Sequence, residues 1–282
     1  MVPAKETQQE SAVRMYDARA DRYEDSWHPD FSRRCIAEMP IKPGDRVLCL
    51  CCGTGLDAFL AAKAVGPEGK VVGVDISPGM LAIAQGKQSK DALLGPRLAF
   101  FQHDVTNLES LHQVQERTFD FIICSSAFVL FDDAAGVVGA WRRYLKTGGR
   151  VAIDVTHEHN LRTGLMLEVV AKKLGIDYPS NRAWIKGKDS FREILEGRGL
   201  EVEKIIEMQT FPGDRVTYLS LEEADKQFEL VANSPLSITI MTPEVKESLR
   251  VPFQEEFRRS AVDGKVEVTN SVYLYIARNG SQ

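Results

Sequence analysis

The sequence predicts an α/β fold: a doubly wound, mostly parallel seven-stranded sheet with an N-terminal helical cap and a late helical insert. Three observations carry this. Apolar runs of strand length alternate with helix-length segments through short connections between residues 46 and 155. The runs are continuous rather than alternating, as in strands covered by helices on both faces. The first of them, Val47-Leu48-Cys49-Leu50-Cys51, empties into Gly53-Thr54-Gly55, a turn that opens a helix.

Taken in order, residues 7–26 predict a helix, with Met15, Tyr16, Ala20 and Tyr23 spaced along it. A shorter helix over 31–39 is ended by Pro40 and the Pro43-Gly44 turn. Strand 47–51 then feeds helix 56–65, and strand 70–75 feeds a helix that Ser77 caps and Pro78 starts. Strands follow at 97–102 and 119–124, then a helix over 132–145, the Gly148-Gly149 turn and a fifth strand over 150–155. Right-handed crossovers place the strand-to-helix loops along one edge, where ligands bind. Beyond residue 155 the rhythm changes: helices 160–174 and 188–198, strand 200–211, helices 221–232 and 243–260, and a final strand 266–277. The last two strands are expected to complete the sheet, with a mostly helical insert over about 212–262. Insertions of that size commonly act as lids. The expected organisation is therefore a lid over 1–40, a core over 41–160, and a completion of the sheet with its cap over 161–282.

Composition bounds the partners. Of 282 residues, 44% are hydrophobic and 27% charged, which excludes disorder for the bulk of the chain. The net charge of -5 disfavours nucleic acid or an anionic membrane as partner. Arg33-Arg34, Arg142-Arg143 and Arg258-Arg259 are isolated pairs that read as solvated helix faces. Cys35, Cys49, Cys51, Cys52 and Cys124 are odd in number and largely within apolar runs, so a reducing, cytoplasmic setting is expected. In a strand, 49 and 51 would face one side and 52 the other, so no metal site is expected of them. The longest nearly apolar stretch, 121–131, is well short of the ~20 residues that cross a bilayer. The opening Met1-Val2-Pro3-Ala4-Lys5-Glu6 lacks a signal-peptide core, and a soluble chain is expected.

The glycine turn lets the backbone approach a ligand closely, and the helix behind it offers free N–H groups to an anionic or polar part. Asp75, at the end of the second strand, stands twenty residues after Gly55, the spacing at which a carboxylate reaches a nucleoside ribose. Gly53-x-Gly55-x-x-Ala58 fits the dinucleotide fingerprint as written, while the pattern of methyltransferases is met in part. Cys49 stands at its acidic position and Cys51 at its first glycine. The turn alone leaves both readings open.

The remaining motifs separate them. Tyr16-Asp17-x-x-Ala20-x-x-Tyr23, Val72-Gly73-Val74-Asp75-Ile76-Ser77-Pro78, Phe101-Gln102-His103-Asp104-Val105, Phe119-Asp120-Phe121-Ile122-Ile123 and Leu145-Lys146-Thr147-Gly148-Gly149 occur in this order. Over about residues 12–155 the chain resembles class I S-adenosylmethionine-dependent methyltransferases acting on small molecules, close to the ubiquinone/menaquinone-type branch. The resemblance implies a Rossmann-like methyltransferase fold with S-adenosyl-L-methionine as cofactor. It implies that Gly53, Thr54 and Gly55 lie against the methionine portion and that Asp75 accepts the ribose hydroxyls. Ile76 and Met80 would pack on the adenine, Asp104 would take its amino group with Val105 beside it, and Ser125 would line the methionine side. Tyr16 and Tyr23 would cover the cofactor.

Methyl transfer to a phenol or carbon acid benefits from a positioned base. His157 and His159, just after the fifth strand, are the candidate catalytic bases, their ordinary pKa being suitable. His103, adjacent to Asp104, reads as structural or adenine-flanking instead of catalytic. The acceptor pocket is expected around Trp27, Phe128, Leu130, Phe131, Met166, Trp184, Phe228 and Met241, which favours a small apolar or aromatic molecule: a natural product, thiol or quinone-like compound. The segment after the fourth strand, Cys124-Ser125-Ser126-Ala127-Phe128, lacks the Asn/Asp-Pro-Pro-aromatic motif of enzymes that modify nucleobase nitrogens. Two other classes stay open: a methyltransferase fold that binds the cofactor without transferring methyl, and an NAD(P)-dependent oxidoreductase.

Overall fold

The computed structural model describes residues 6–280, so residues 1–5 of the expected lid and 281–282 of the expected cap lie outside the described residues. Helix α1 (Gln8–Asp17) starts on a capping box: the Thr7 hydroxyl accepts from Glu10 N at 3.2 Å, and the Glu10 carboxylate accepts from Thr7 N at 2.7 Å. The single helix expected over 7–26 is broken. After Asp17 the chain leaves helical geometry at Arg19 and re-forms as a 3-10 turn, Ala20–Asp25, before α2 (His28–Ala37). The break frees the Asp17 carboxylate to accept from the Ser77 hydroxyl and, at 3.0 Å, from Gly79 N. The N-terminal segment is thereby pinned to the core.

The core follows the βαβ logic of its apolar runs. Strands β1 (Arg46–Leu50), β2 (Lys70–Asp75), β3 (Leu98–Gln102), β4 (Phe119–Cys124) and β5 (Leu145–Thr156) are joined through α3 (Leu56–Ala64), α4 (Pro78–Lys90) and α5 (Ala134–Arg142). Beyond β5 come α6 (Arg162–Lys173), α7 (Lys188–Gly197), β6 (Leu200–Gln209), β7 (Val216–Ser220), α8 (Ala224–Ala232), α9 (Pro243–Arg259), β8 (Lys265–Thr269) and β9 (Ser271–Asn279). The main sheet has seven strands in the order β3-β2-β1-β4-β5-β9-β6. Its first five are parallel, and β9 runs antiparallel to both β5 and β6. The seven-stranded, mostly parallel expectation therefore holds.

Each face of the sheet carries its own core. One centres on Trp141, Phe119, Phe128 and Phe191, the other on Phe31, Cys35, Phe100 and Phe121. A third cluster, with Met166, Phe228, Leu249, Phe253 and Phe257, is built by α6, α8 and α9 away from the sheet. Glu168 of α6 is fully buried, and its carboxylate accepts from Ser180 Oγ at 2.8 Å, Arg182 N at 2.9 Å and Ala183 N at 3.1 Å. It fastens the segment after α6 back onto that helix.

The final strand expected over 266–277 is instead two strands. β8 pairs with β7 in a separate two-stranded sheet, and β9 enters the main sheet. The break falls at Asn270, whose N–H donates to Arg215 O at 2.7 Å and whose side-chain amide donates to Phe211 O at 2.9 Å. Those bonds hold Asn270 across the start of the insert instead of in either ladder. The insert is consequently not purely helical, since β7–β8 forms its base.

Candidate functional site

The site forms where β1 ends. After Leu50 three residues take left-handed backbone angles: Cys51 at φ +53°, Gly53 at φ +52° and Gly55 at φ +85°. A Cβ on Gly53 would meet no atom within 4 Å, whereas one on Gly55 would touch the Phe100 ring at 3.1 Å and Ala84 at 3.3 Å. Gly55 is thus required by packing and backbone together, and Gly53 leaves an open cradle. Cys51 pays a left-handed strain of ~1 kcal/mol or more. The positive φ also corrects the expected alternation of the thiols: Cys49 and Cys52 pack on the α3 side, and Cys51 packs on the opposite core. Among the described residues, no three His, Cys, Asp or Glu side chains converge as a metal site.

Asp75 closes β2 beside this turn. Its carboxylate accepts from Gly53 N at 2.7 Å and Ser77 N at 2.8 Å. Burial pushes its pKa up, while those amides hold it down. Asp104 accepts from Thr106 N and Oγ1, both at 2.8 Å, and from Gln9 Nε2 of the lid at 2.5 Å. Between them opens a cavity of about 410 Å³, walled by Cys51, Asp75, Ile76, Asp104, Val105 and Thr106 on one side and by Leu130, Phe131 and Val137 on the other. Gln9 and Ala12 of α1 close it from above. Trp141 Nε1 donates to Val105 O at 2.8 Å and holds that wall in place.

Tyr16 and Tyr23 lie in the lid with ring centroids 6.3 Å apart, and the Arg19 guanidinium sits over them at 4.3 and 5.4 Å. Behind Tyr23 the rings of His28 and Trp27 stack at 4.1 and 3.9 Å. Burial drives His28 down to about 4, so it is neutral at physiological pH. The charge of Asp75 reaches Tyr16, and the charges of Asp57 and Asp154 reach Tyr23. The two tyrosines therefore lie near these acids of the strand ends and α3.

Other predicted residues fall elsewhere. Met80 is buried in the first turn of α4 and does not line the cavity. His157 stacks on Tyr273 with centroids 5.0 Å apart, and His159 Nδ1 lies 2.8 Å from Glu267 of β8. Both belong to the junction of β5 with β8 and β9, and neither is on the cavity wall. Burial lowers the pKa of His157. The expected acceptor residues also divide. Leu130 and Phe131 line the cavity; Phe128, Met166 and Phe228 are buried in the cores, where their size contributes packing.

Sequence reasoning missed Asp57, in the first turn of α3, and Asp154, near the end of β5. Burial raises both, Asp154 to about 7, with the Asp57 charge adding to its shift and the Ser126 amide opposing it. Ser32 and Ser125 lie close enough to Asp57 to oppose its shift, although the Ser125 hydroxyl makes no well-formed bond. An acid ending an otherwise apolar strand run at the ligand edge was the available signal for Asp154.

These features are those of the S-adenosylmethionine-dependent methyltransferases, and comparison with known proteins agrees. The family model described as "Methyltransferase domain" matches residues 41–197, over half the chain, and the protein belongs to this class I family. It is 33% identical over 143 residues to the ubiquinone/menaquinone biosynthesis C-methyltransferase of Xanthomonas campestris pv. campestris, covering 51% of this chain and 54% of that one. It is 32% identical over 124 residues to demethylmenaquinone methyltransferase of Bacillus cereus, covering 44% of this chain and 50% of that one. The chain thus spans about half the length of the curated relatives it matches. In fold it resembles the protein found in complex with the Trm112 methyltransferase activator of Haloferax volcanii, with a TM-score of 0.60 at 20% identity over 96% of both chains. Among the described residues, no helix is long and apolar enough to cross a membrane.

Proposed function

We propose that this chain transfers a methyl group from S-adenosylmethionine to a small apolar or aromatic acceptor of the hydroquinone or phenol type. The observation that carries the reading is the cavity between Cys51 of the left-handed turn, Asp75 and Asp104, closed by Gln9 and Ala12. The donor set fits the cofactor. Among the described residues Thr54 Oγ1 and Ser125 Oγ are buried without partners beyond the strand ends, and the open space at Gly53 admits a ligand against the backbone. When bound, the cofactor supplies a sulfonium-activated methyl for in-line displacement by the acceptor.

This chain's residues supply binding, alignment and exclusion of water. Asp75 has two lone-pair sites beyond those given to Gly53 and Ser77, enough for two ribose hydroxyls. Asp104, three of whose four acceptor sites are taken by Thr106 and Gln9, keeps one for the adenine amino group, where Ile76 and Val105 provide flat apolar contact. Tyr16 and Tyr23 shield the methionine end. In this reading residues 1–40 act as the lid, 41–160 as the cofactor core, and 161–282 as the completion of the sheet with its substrate cap. The quinone-linked relatives favour an aromatic acceptor, and Leu130 and Phe131 give it an apolar wall. We assign His157 and His159 to tying the end of β5 to β9 through Tyr273 and to the β7–β8 hairpin through Glu267, ahead of proton transfer.

Calorimetric titration with S-adenosylmethionine, S-adenosylhomocysteine and NADH tests the cofactor, and a panel of hydroquinones, catechols and thiols tests the acceptor. The expected result is binding of both sulfur nucleosides, no binding of NADH, and methyl transfer to a hydroquinone or catechol. Binding of NADH alone would end the proposal. Nucleoside binding without transfer to any acceptor would reassign the chain as a cofactor-binding protein of methyltransferase fold.

A further inference from the structure

We propose that Asp57 and Asp154 together form a cation subsite that receives the primary ammonium of the cofactor's amino acid moiety. They would take over the task of the acidic residue that Cys49 replaces at the end of β1. This rests on the cofactor reading above and goes beyond it in assigning two side chains that the glycine-turn and ribose motifs do not include.

Four observations lead to it. Asp57 and Asp154 come from different elements, α3 and β5, yet the charges of both reach Tyr23 of the lid, Cys35 of α2 and Cys124 of β4. They share one neighbourhood. Second, they are undersatisfied: among the described residues Asp57 Oδ1 is buried with no hydrogen-bond partner, and Asp154 Oδ1 accepts only Ser126 N, at 2.6 Å. Third, among the described residues neither carboxylate forms an ion pair, while the nearby hydroxyls Ser125 Oγ and Thr54 Oγ1 are also buried and unpartnered. Fourth, the chain accepts strain to build the place, since Ser126 takes φ +57° as its N–H meets Asp154.

Two adjacent buried carboxylates without a counter-charge are costly, and the cost is recovered only when a cation enters. A primary ammonium has three donors and no acceptor, which matches two carboxylate oxygens and one hydroxyl. Burial and the Asp57 charge hold Asp154 at about 7 in the free chain, so the carboxyl is partly protonated near neutrality. The groups facing it are Asp57, Tyr23, Cys35, Cys124 and the Ser126 amide. The nearest cations, Arg19 over Tyr23 and Arg34 beside Cys35, act on those neighbours and, among the described residues, pair with neither carboxylate. Entry of an ammonium therefore lowers the pKa of Asp154 and expels its proton.

The test compares S-adenosylhomocysteine with 5′-methylthioadenosine, which keeps the nucleoside and thioether but lacks the ammonium and carboxylate. Asp57→Asn and Asp154→Asn are each expected to weaken S-adenosylhomocysteine about tenfold or more, the scale of a lost charge-assisted hydrogen bond. Both variants are expected to bind methylthioadenosine within about twofold of wild type, which also reports that they are folded. Wild type is expected to release protons on binding S-adenosylhomocysteine near pH 7, read from apparent enthalpies in buffers of different ionisation heat; Asp154→Asn removes that release. Unchanged S-adenosylhomocysteine affinity, or equal losses for both ligands, would overturn the subsite while leaving the cofactor reading intact. Wild type binding neither nucleoside would overturn the cofactor reading and this inference with it.

Discussion

Replacing Asp154 with Asn is expected to stabilise the ligand-free protein, and to do so only above a defined pH. In the folded chain burial, aided by the Asp57 charge and opposed by the Ser126 amide, raises this carboxyl from 3.8 to about 7. Below the lower value both folded and unfolded chains carry the proton, and the group contributes nothing. As pH rises the unfolded chain ionises while the folded chain keeps its proton, so ionisation pulls the equilibrium toward unfolding. The penalty grows until the pH passes about 7 and is complete above it. At 1.36 kcal/mol per pKa unit, a shift of about three units gives an upper bound of about 4 kcal/mol. Asn cannot ionise and keeps an oxygen for Ser126 N. The variant should therefore match wild type near pH 4 and exceed its stability by between about 1 and 4 kcal/mol at pH 8. Urea unfolding of both proteins across that range measures the difference, in which the shared titration of other groups cancels. A difference independent of pH would refute the reasoning, as would a wild type that is the more stable of the two at pH 8.

Three further outcomes are expected. Asp75→Ala should weaken S-adenosylhomocysteine binding by ~1–3 kcal/mol in a calorimetric titration and also lower Tm, because the amides of Gly53 and Ser77 lose their acceptor; unchanged affinity would refute the ribose assignment. Gly55→Val should cost ~2–4 kcal/mol in urea unfolding, through left-handed strain and contact with Phe100 and Ala84; Gly53→Ala, whose Cβ meets open space, should cost less stability and more ligand affinity. Glu168→Ala should destabilise by ~3–5 kcal/mol, stranding the buried Arg182 and its neighbours, and the loss should appear in a thermal melt.

The order of β1 through β5 and their crossovers was legible because each strand is a continuous apolar run ended by glycine, proline or a capping residue. That signal is local. Asp75 was legible from its place at the end of β2, twenty residues after Gly55, and Asp104 from the motif Phe101-Gln102-His103-Asp104-Val105 that carries the family resemblance. The breaks at Arg19 and Asn270 were not, because each is set by partners distant in sequence: Ser77 and Gly79 for the first, Phe211 and Arg215 for the second. β7 escaped notice since its pattern is half exposed and its only ladder partner lies beyond α9. Asp57 and Asp154 were hidden differently. Each reads alone as a helix-start acid or a strand-end acid, and their meaning comes from being brought together by α3 and β5. His157 and His159 show the converse: a suggestive sequence pair that the fold turns toward Tyr273 and Glu267.

Asn270 carries one more consequence. It is the single residue between β8, at the base of the insert, and β9, which lies between β5 and β6 in the main sheet. The other end of the insert is held just as closely, since Thr210 N bonds Asn270 O and Asn270 N bonds Arg215 O. A module clamped at both ends to an inner strand has no slack with which to swing. The insert is thereby fixed to the sheet, whereas the N-terminal segment, whose Gln9 and Ala12 line the cavity, is held by side-chain bonds of Gln9, Asp17 and Glu24 to the core and of Arg14 to Pro235 O of the insert. Mutations that loosen the N-terminal segment therefore act on the cavity that Gln9 and Ala12 line, while the insert keeps its seat on the sheet.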